Sequence, residues 1–173
     1  MLRTPAILAT FVLAGCESTL DEPPPPVFDL SATWELNTQA SDAAPDLEEI
    51  RRLEDRDVLR GRQRDAEASS IFVTEDFPVL DTRRMTIEQD ARSMGIQYAD
   101  GTYRDVSWGE RERGFWTIRA GWREGALVID SRRNLTRGRE TMRLERGGQR
   151  LRVDVSVETG GRDVHSVRVF DRR

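Results

Sequence analysis

The first clear pattern in the chain is a strict alternation of apolar and polar positions over residues 27–37. Its apolar members are Phe28, Leu30, Ala32, Trp34 and Leu36. A period of two places successive side chains on opposite faces of an extended backbone. The pattern therefore predicts an opening β-strand that buries one face and exposes the other.

The period changes over residues 41–64. Ser41 or Asp42 can cap a helix and Pro45 suits its first turn, while acidic residues follow and arginines collect near the end. This order complements the helix dipole. We expect one amphipathic helix here, and Gly61 is the position at which it would break most easily.

Nine further runs with strand character follow, separated by short polar or glycine-bearing links. They cover residues 71–74, 85–89, 94–98, 103–108, 115–122, 126–130, 140–145, 151–158 and 164–171, with turn signals at 100–101, 147–148 and 160–161. The prediction is a mainly β fold: an antiparallel meander of about 8–10 strands, with one amphipathic helix after the first strand. The meander should form a barrel or a strongly curved sheet, because closure removes exposed strand edges.

The N-terminus has a different organisation. An arginine precedes an apolar run over residues 5–13, two small residues follow, and then comes Cys16, the only cysteine. A run of about nine apolar residues is short for a spanning helix, which needs roughly 20, and the order is that of a secretory signal peptide. An ordinary signal peptide with an incidental cysteine is one interpretation.

Residues 13–16, Leu-Ala-Gly-Cys, resemble the lipobox of bacterial lipoproteins. The resemblance implies cleavage before Cys16, acylation of its thiol by lipid such as palmitate, and attachment to a membrane. In Gram-negative lipoproteins an aspartate after the cysteine favours the inner membrane. Glu17 stands there instead, so the resemblance implies the outer membrane, facing the periplasm.

The expected division of the chain follows from these features. Residues 1–15 are a cleaved signal peptide, and residues 16–26 are a lipidated cysteine with a tether containing four consecutive prolines. Residues 27–173 form a single β-rich domain. Because acylation uses the only thiol, the mature protein is expected to fold without a disulfide.

Charge is unevenly distributed along the chain. The formal net charge is -4, which does not suggest a nucleic-acid partner. Residues 101–173 nevertheless contain 17 arginines against 11 acids, whereas acids dominate the earlier part. Either the arginines form a basic face for an anionic envelope component, or acidic and basic segments meet across neighbouring strands.

Candidate catalytic chemistry is sparse. With one histidine, His165, and no free cysteine, a metal site built on several imidazoles is excluded, and no serine lies in a Gly-Xaa-Ser-Xaa-Gly setting. We expect no metal, no cofactor and no enzymatic activity. The abundant carboxylates, such as Glu110, Glu112 and Glu124 near the aromatic residues, leave a hydrolase as a third, weaker hypothesis.

The order of elements resembles the lipocalin or calycin class of small β-barrels. Ala32-Thr33-Trp34 stands where lipocalins have glycine, any residue and tryptophan. The opening over residues 28–37 and the ending over residues 169–172 are also similar to uncharacterised bacterial secreted proteins. That second resemblance implies no known activity.

Two functional hypotheses carry most weight. The first is an envelope lipoprotein that acts as a non-catalytic binding module for a hydrophobic or amphipathic ligand, such as a lipid. Its cavity is predicted to be lined by Trp34, Tyr98, Trp108, Trp116 and Trp122. The alternative is a structural or interaction lipoprotein with a filled core, which acts through the arginine-rich outer face on an envelope protein that the sequence does not identify.

Overall fold

The computed structural model describes residues 20, 24–25, 27–46, 48–49, 52, 55–56, 59–61, 71–159 and 162–173. The predicted signal peptide, Cys16, most of the tether and the turn signal at 160–161 lie outside the described residues. Within the described ranges, no helix has the length and apolar character needed to cross a membrane.

Ten antiparallel strands form one sheet that closes almost completely into a barrel, as the alternation pattern predicted. The strands are β1 (Ala32–Leu36), β2 (Arg84–Gln89), β3 (Ser93–Tyr98), β4 (Tyr103–Ser107), β5 (Gly109–Arg113), β6 (Trp116–Arg123), β7 (Ala126–Arg133), β8 (Thr136–Glu145), β9 (Arg150–Thr159) and β10 (Arg162–Arg172). A short helix (Ile71–Asp76) and a 3-10 turn (Pro78–Leu80) lie between β1 and β2.

The sheet order is β4-β3-β2-β1-β10-β9-β8-β7-β6-β5. The first and last strands pair, with Trp34 opposite Arg172 and Leu36 opposite Phe170. The sheet therefore ends at β4 and β5, which follow each other in the chain without forming a ladder. Across this gap the Arg113 guanidinium donates to the carbonyl of Asp105 at 2.6 Å.

The strand directions define two ends of the barrel. The upper end holds the short helix, the 3-10 turn and the turns at residues 99–102, 114–115 and 134–135. The lower end holds residues 27–31 and the turns at residues 90–92, 124–125 and 146–149. A ligand approaching the two ends meets different surfaces.

The interior contains one continuous hydrophobic cluster, because apolar residues alternate inward along the strands. At the upper end, Phe77 follows the short helix and inserts its ring over β8, where it is 1 % exposed. Gly138 makes this approach possible, since a Cβ at that position would overlap the Phe77 ring. Phe77 thus acts as a plug in the upper part of the barrel.

An amphipathic helix was predicted after β1, and the residues described in that stretch have helical backbone. Residues 48–49, 52, 55–56 and 59 are helical, and Gly61 has a left-handed φ of 73° at the turn that follows. The cap differs from the prediction: the Asp46 carboxylate accepts the backbone N–H groups of Glu48 and Glu49. Asp42 instead bonds β10, donating its N–H to the carbonyl of Val167.

Two local predictions were wrong. Residues 71–74, predicted as a strand, belong to the short helix, where the N–H of Phe77 donates to the carbonyl of Val73 at 2.8 Å. Burial of Val73 and Phe77 in the barrel mouth outweighs the β-propensity of this run. Strand β5 was missed because its sequence, Gly-Glu-Arg-Glu-Arg, contains no apolar residue and is exposed throughout.

Candidate ligand-binding cleft

A cleft of about 260 Å³ opens at the upper end of the barrel. It lies between the end of the short helix, the turn before β4, and strands β4 and β6. Apolar side chains form its walls, and two polar side chains that project from the barrel interior form its base. The wall residues are Phe77, Trp116 and Ile118, the base residues are Arg104 and Ser131, and the rim includes Glu75, Asp76 and Arg113.

Strand alternation places the base residues inside the barrel. Arg104 has the same parity in β4 as the buried Val106, and Ser131 has the same parity in β7 as the buried Ile129. Arg104 lies opposite the buried Ile96 of β3. These polar side chains therefore reach the cleft from within an otherwise apolar wall.

Arg104 forms a buried ion pair with Glu140 of β8. Its Nη1 lies 2.5 Å from Glu140 Oε2, and its Nη2 donates to Ser131 Oγ at 3.4 Å. The Glu140 side chain is 0 % exposed and that of Arg104 is 12 % exposed. Burial disfavours the charge of the guanidinium, but Glu140 and Tyr98 together outweigh this effect and raise the pKa of Arg104. Arg104 therefore keeps its positive charge at the base of the cleft.

Tyr98 lies in the same polar cluster, at the end of β3. It is buried, and within the described part of the chain its hydroxyl has no hydrogen-bond partner, and neither has Glu140 Oε1. Burial, reinforced by the Glu140 charge, raises the pKa of Tyr98 even though Arg104 opposes the shift. The phenol is thus protonated and can donate.

The rim of the cleft combines a second ion pair with an aromatic contact. Arg133 Nη2 lies 3.0 Å from Asp76 Oδ2, and the Arg133 guanidinium stands 4.7 Å from the centre of the Trp116 ring. Phe77 meets Trp116 edge-on, with ring centroids 5.9 Å apart. Burial raises the pKa of Asp76, an effect that Arg133 partly offsets. These contacts fix the orientation of the Trp116 wall.

The aromatic residues predicted to line one cavity fall into three groups. Tyr98 and Trp116 lie at the upper end, in or beside the cleft. Trp108 and Trp122 lie at the lower end with ring centroids 4.7 Å apart, and Trp122 also contacts Phe28. Trp34 is fully buried and donates its indole N–H to the carbonyl of Leu30 at 2.8 Å. The structure therefore divides the five residues among these places, and of the five only Trp116 lines the cleft. The ligand-binding role of the set stays a prediction.

Sequence reasoning missed the polar residues at the base of the cleft. A signal was present, because Glu140 has the same strand parity as Met142, and Arg104 the same parity as Val106. A charged residue in register with apolar neighbours on a buried face indicates a buried polar site. Cross-strand pairing, which brings Arg104 and Glu140 together over 36 residues, is not encoded in local pattern.

A second buried arginine, Arg168 of β10, lies near the upper end, but its guanidinium bonds backbone carbonyls and does not line the cleft. Its Nη1 donates to the carbonyl of Asp42 at 2.7 Å and its Nη2 to the carbonyl of Thr82 at 3.5 Å. Burial lowers the pKa of Arg168, with the charges of Asp81 and Asp42 opposing the shift. Arg168 thus ties both ends of the β1–β2 connection to the last strand.

Groups that would support a metal or hydrolytic site do not assemble in the described ranges. No cluster of three or more His, Cys, Asp or Glu side chains occurs there. Glu110 and Glu112 lie exposed on β5. Glu124 is exposed in the turn between β6 and β7, and His165 is exposed on β10. These positions give the hydrolase hypothesis no support.

Comparison with known proteins identifies solved structures with the same fold. No protein-family model and no curated protein sequence matches the chain. Fatty-acid-binding protein 1 of Echinococcus granulosus matches in structure at 14 % identity and a TM-score of 0.51, covering 83 % of this chain and 96 % of that chain. The REP1-NXSQ fatty acid transporter matches at 12 % identity and a TM-score of 0.53, covering 84 % of this chain and 96 % of that chain.

At these identities the likeness shows the fold alone. The small β-barrel predicted from the order of elements is confirmed as the fold, and the chain shares it with both of these proteins. The chain has the fold of the fatty-acid-binding proteins.

Proposed function

We propose that this chain is a lipid-anchored protein of the bacterial envelope whose barrel is a non-catalytic binding module for a hydrophobic or amphipathic ligand. The observation that carries the proposal is the upper-end cleft, in which the apolar walls of Phe77, Trp116 and Ile118 meet the polar base of Arg104 and Ser131. Small-molecule sites are mainly apolar with a few placed polar groups. The cleft has that composition.

The fold supports the same proposal. Two of the matching solved structures are named as a fatty-acid-binding protein and a fatty acid transporter. Their low identity gives no residue of this chain a role. The fold nevertheless favours binding over catalysis and agrees with a ligand site inside or at the mouth of the barrel.

The size of the cleft limits how much of a ligand it holds. One heavy atom occupies about 30 Å³, roughly the volume share of one water in the liquid. A cleft of about 260 Å³ therefore holds on the order of nine heavy atoms. It accommodates a short amphiphile, or one end of a longer one.

The outer face of the barrel offers less support for the alternative, an interaction protein acting through its arginines. Arg139 is paired with Asp130 at 2.6 Å, and both Arg143 and Arg152 contact Asp154. These pairs follow the expectation that acidic and basic segments meet across neighbouring strands. Because these three arginines share two carboxylates, much of their charge is compensated locally, and the cleft is the better candidate site.

Anchoring is proposed from residues 13–16 and is tested separately from ligand binding. In the native host, the Cys16→Ser variant should move from the membrane fraction to a soluble or unprocessed form, with the circular dichroism spectrum of the barrel unchanged. Mass spectrometry of the N-terminal peptide should show acyl groups on wild-type Cys16 only. Acylation of the Cys16→Ser variant, or an unmodified wild-type thiol, would contradict the proposal.

The ligand experiment uses the Cys16→Ser chain, exported and purified without detergent. Native mass spectrometry should show an added mass that is lost on denaturation and identifies the ligand. Trp116→Ala removes one wall of the cleft and should abolish the added mass, whereas Trp108→Ala removes a matched indole at the lower end and should keep it. A bare chain, or equal loss in both variants, counts against the cleft as the site.

A further inference from the structure

The base of the cleft is electrically neutral, although it is built from charged side chains. Arg104 Nη1 and Glu140 Oε2 are 2.5 Å apart, and the Glu140 side chain is completely buried. Opposite charges this close largely cancel at the distance of a bound ligand, and the low local dielectric makes them hard to separate. A ligand that enters the cleft therefore meets a polar pair and not a free cation.

Two further polar atoms of the same cluster are buried behind Arg104, and their residues do not line the cleft. The Tyr98 hydroxyl and Glu140 Oε1 are both buried without a hydrogen-bond partner in the described chain. Ser131 Oγ lines the cleft and accepts a long contact of 3.4 Å from Arg104, so its hydroxyl can still donate to a ligand and accept from it. The polar groups that a ligand meets in the cleft are therefore the Ser131 hydroxyl and an Arg104 already paired with Glu140, which favours a ligand group that both donates and accepts.

Three kinds of polar end can be compared against this arrangement. A carboxylate only accepts, and it would share the base with the negative Glu140 while Arg104 is already paired. An ammonium only donates, and it would approach the Arg104 guanidinium. A hydroxyl or a primary amide donates and accepts without adding charge.

The exposed Arg113 at the rim does not change this comparison. Its side chain is solvent-exposed, and its guanidinium donates to the carbonyl of Asp105 at 2.6 Å. A carboxylate bound there would gain only the small energy of a solvent-screened pair. Head-group selectivity is therefore set at the base of the cleft.

We propose that the cleft takes an amphiphile whose polar end is an uncharged hydroxyl or amide, and that Glu140 is the residue that excludes carboxylates such as fatty-acid anions. This inference rests on the proposed binding function. It makes Glu140 a specificity-determining residue, acting through Arg104.

The test compares three probes of equal chain length: 1-octanol, octanoate and octylammonium. Each is titrated at pH 7 into the full chain carrying Cys16→Ser, and binding is followed by the NMR shift of the Trp116 indole N–H. Wild-type protein should bind 1-octanol at least about tenfold more tightly than either ion, which corresponds to about 1.4 kcal/mol. A wild-type preference for octanoate overturns the inference and leaves the proposed function intact.

Glu140→Gln frees the Arg104 charge and should strengthen octanoate binding at least about tenfold, as expected for a charge-assisted hydrogen bond. Its affinity for 1-octanol should change little. Glu88→Gln is the matched control, because it removes an exposed acid of β2 that does not line the cleft and should leave the ranking unchanged.

An unchanged octanoate affinity in a folded Glu140→Gln variant overturns the inference. If that variant does not fold, the wild-type ranking of the three probes still decides it. If none of the probes shifts Trp116 in wild-type protein, the cleft is not a site, and both the proposed function and the inference fail.

Discussion

The two ends of the barrel use buried side chains differently. At the lower end, Trp122 packs against Trp108 and Phe28 in a mainly apolar cluster. At the upper end, Arg104 and Glu140 occupy interior positions where packing alone would favour aliphatic residues. A buried ion pair gives little net stability over a hydrophobic substitute, because desolvation offsets its attraction. The comparison shows that the lower end is packed mainly with aromatic side chains, whereas the upper end keeps charged groups in its interior beside the proposed binding cleft.

The largest difference between the ends should appear on truncation of their aromatic residues. Trp122→Ala opens a cavity in the lower cluster and should lower the free energy of unfolding by about 3–5 kcal/mol. Trp116→Ala removes a half-buried wall of the cleft and should cost about 1–2 kcal/mol. Urea denaturation of both variants measures the difference. Equal losses would contradict the division into a packed end and a binding end.

A smaller but more local effect is expected for Arg168. Arg168→Ala leaves the carbonyls of Asp42 and Thr82 without their guanidinium donor and should cost about 2–3 kcal/mol. Hydrogen exchange should accelerate over residues 71–83 at the upper end and stay unchanged in the lower-end cluster around Trp122. Uniform acceleration would show that the two ends unfold as one unit.

Two glycine-to-alanine substitutions, one at each end of the barrel, sharpen the comparison, because each adds a single methyl group. Gly138→Ala forces the Phe77 plug to move at the upper end and should cost about 1–3 kcal/mol. Gly121→Ala at the lower end would meet Leu20, which lies outside the sheet. Both Gly121 and Leu20 are buried, but Leu20 lies outside the strand ladders and can shift more easily than the enclosed Phe77 ring. We therefore expect a smaller loss there, about 1 kcal/mol. Thermal unfolding of both variants provides the test, and a larger loss for Gly121→Ala would contradict it.

The smallest effect concerns how stability depends on pH. One acid at each end contributes to it, and the two contributions change in opposite directions. Burial raises the pKa of Asp76 at the upper end. Hydrogen bonds from Arg150 and Asn37 lower the pKa of Asp171 near the lower end of β10. Asp76 therefore stabilises the fold when protonated, and its contribution is lost as pH rises from about 3.8 through its folded pKa.

Asp171 behaves in the opposite way. Its contribution is complete above its unfolded pKa of about 3.8 and is lost as pH falls through the lower folded pKa. Carboxyl carbon shifts in an NMR titration should place the midpoint of Asp76 above that of Asp171. The reverse order would remove the electrostatic part of the comparison between the two ends.

The fold was predictable because its core obeys a simple rule. Alternating residues such as Leu151, Val153 and Val155 are buried on one face of β9, so the sequence alone located most strands. Strand β5 carries no such signal, since hydrogen bonding to β6 and not burial holds it in the sheet. The helical state of residues 71–76 depends on burial of Val73 and Phe77 in a barrel that a local window does not contain.

The candidate site was only partly predictable. Trp116 and Tyr98 were identified as aromatic residues suited to a ligand site, and both lie at the upper end. Arg104 and Glu140 form a polar site only as a pair. They come into contact only when β4 and β8 face each other across the barrel. Residue type and spacing describe the walls of the cleft well, but they do not describe the charge balance at its base.

The pairing of β1 with β10 also governs when the barrel can form during synthesis. Hairpins β2–β4 and β5–β10 can zip together from neighbouring segments, but Trp34 finds its place only opposite Arg172, 138 residues later. Such distant contacts slow folding, because a long loop must be closed before the contact is gained. The seam therefore keeps the barrel open until its last strand has been made.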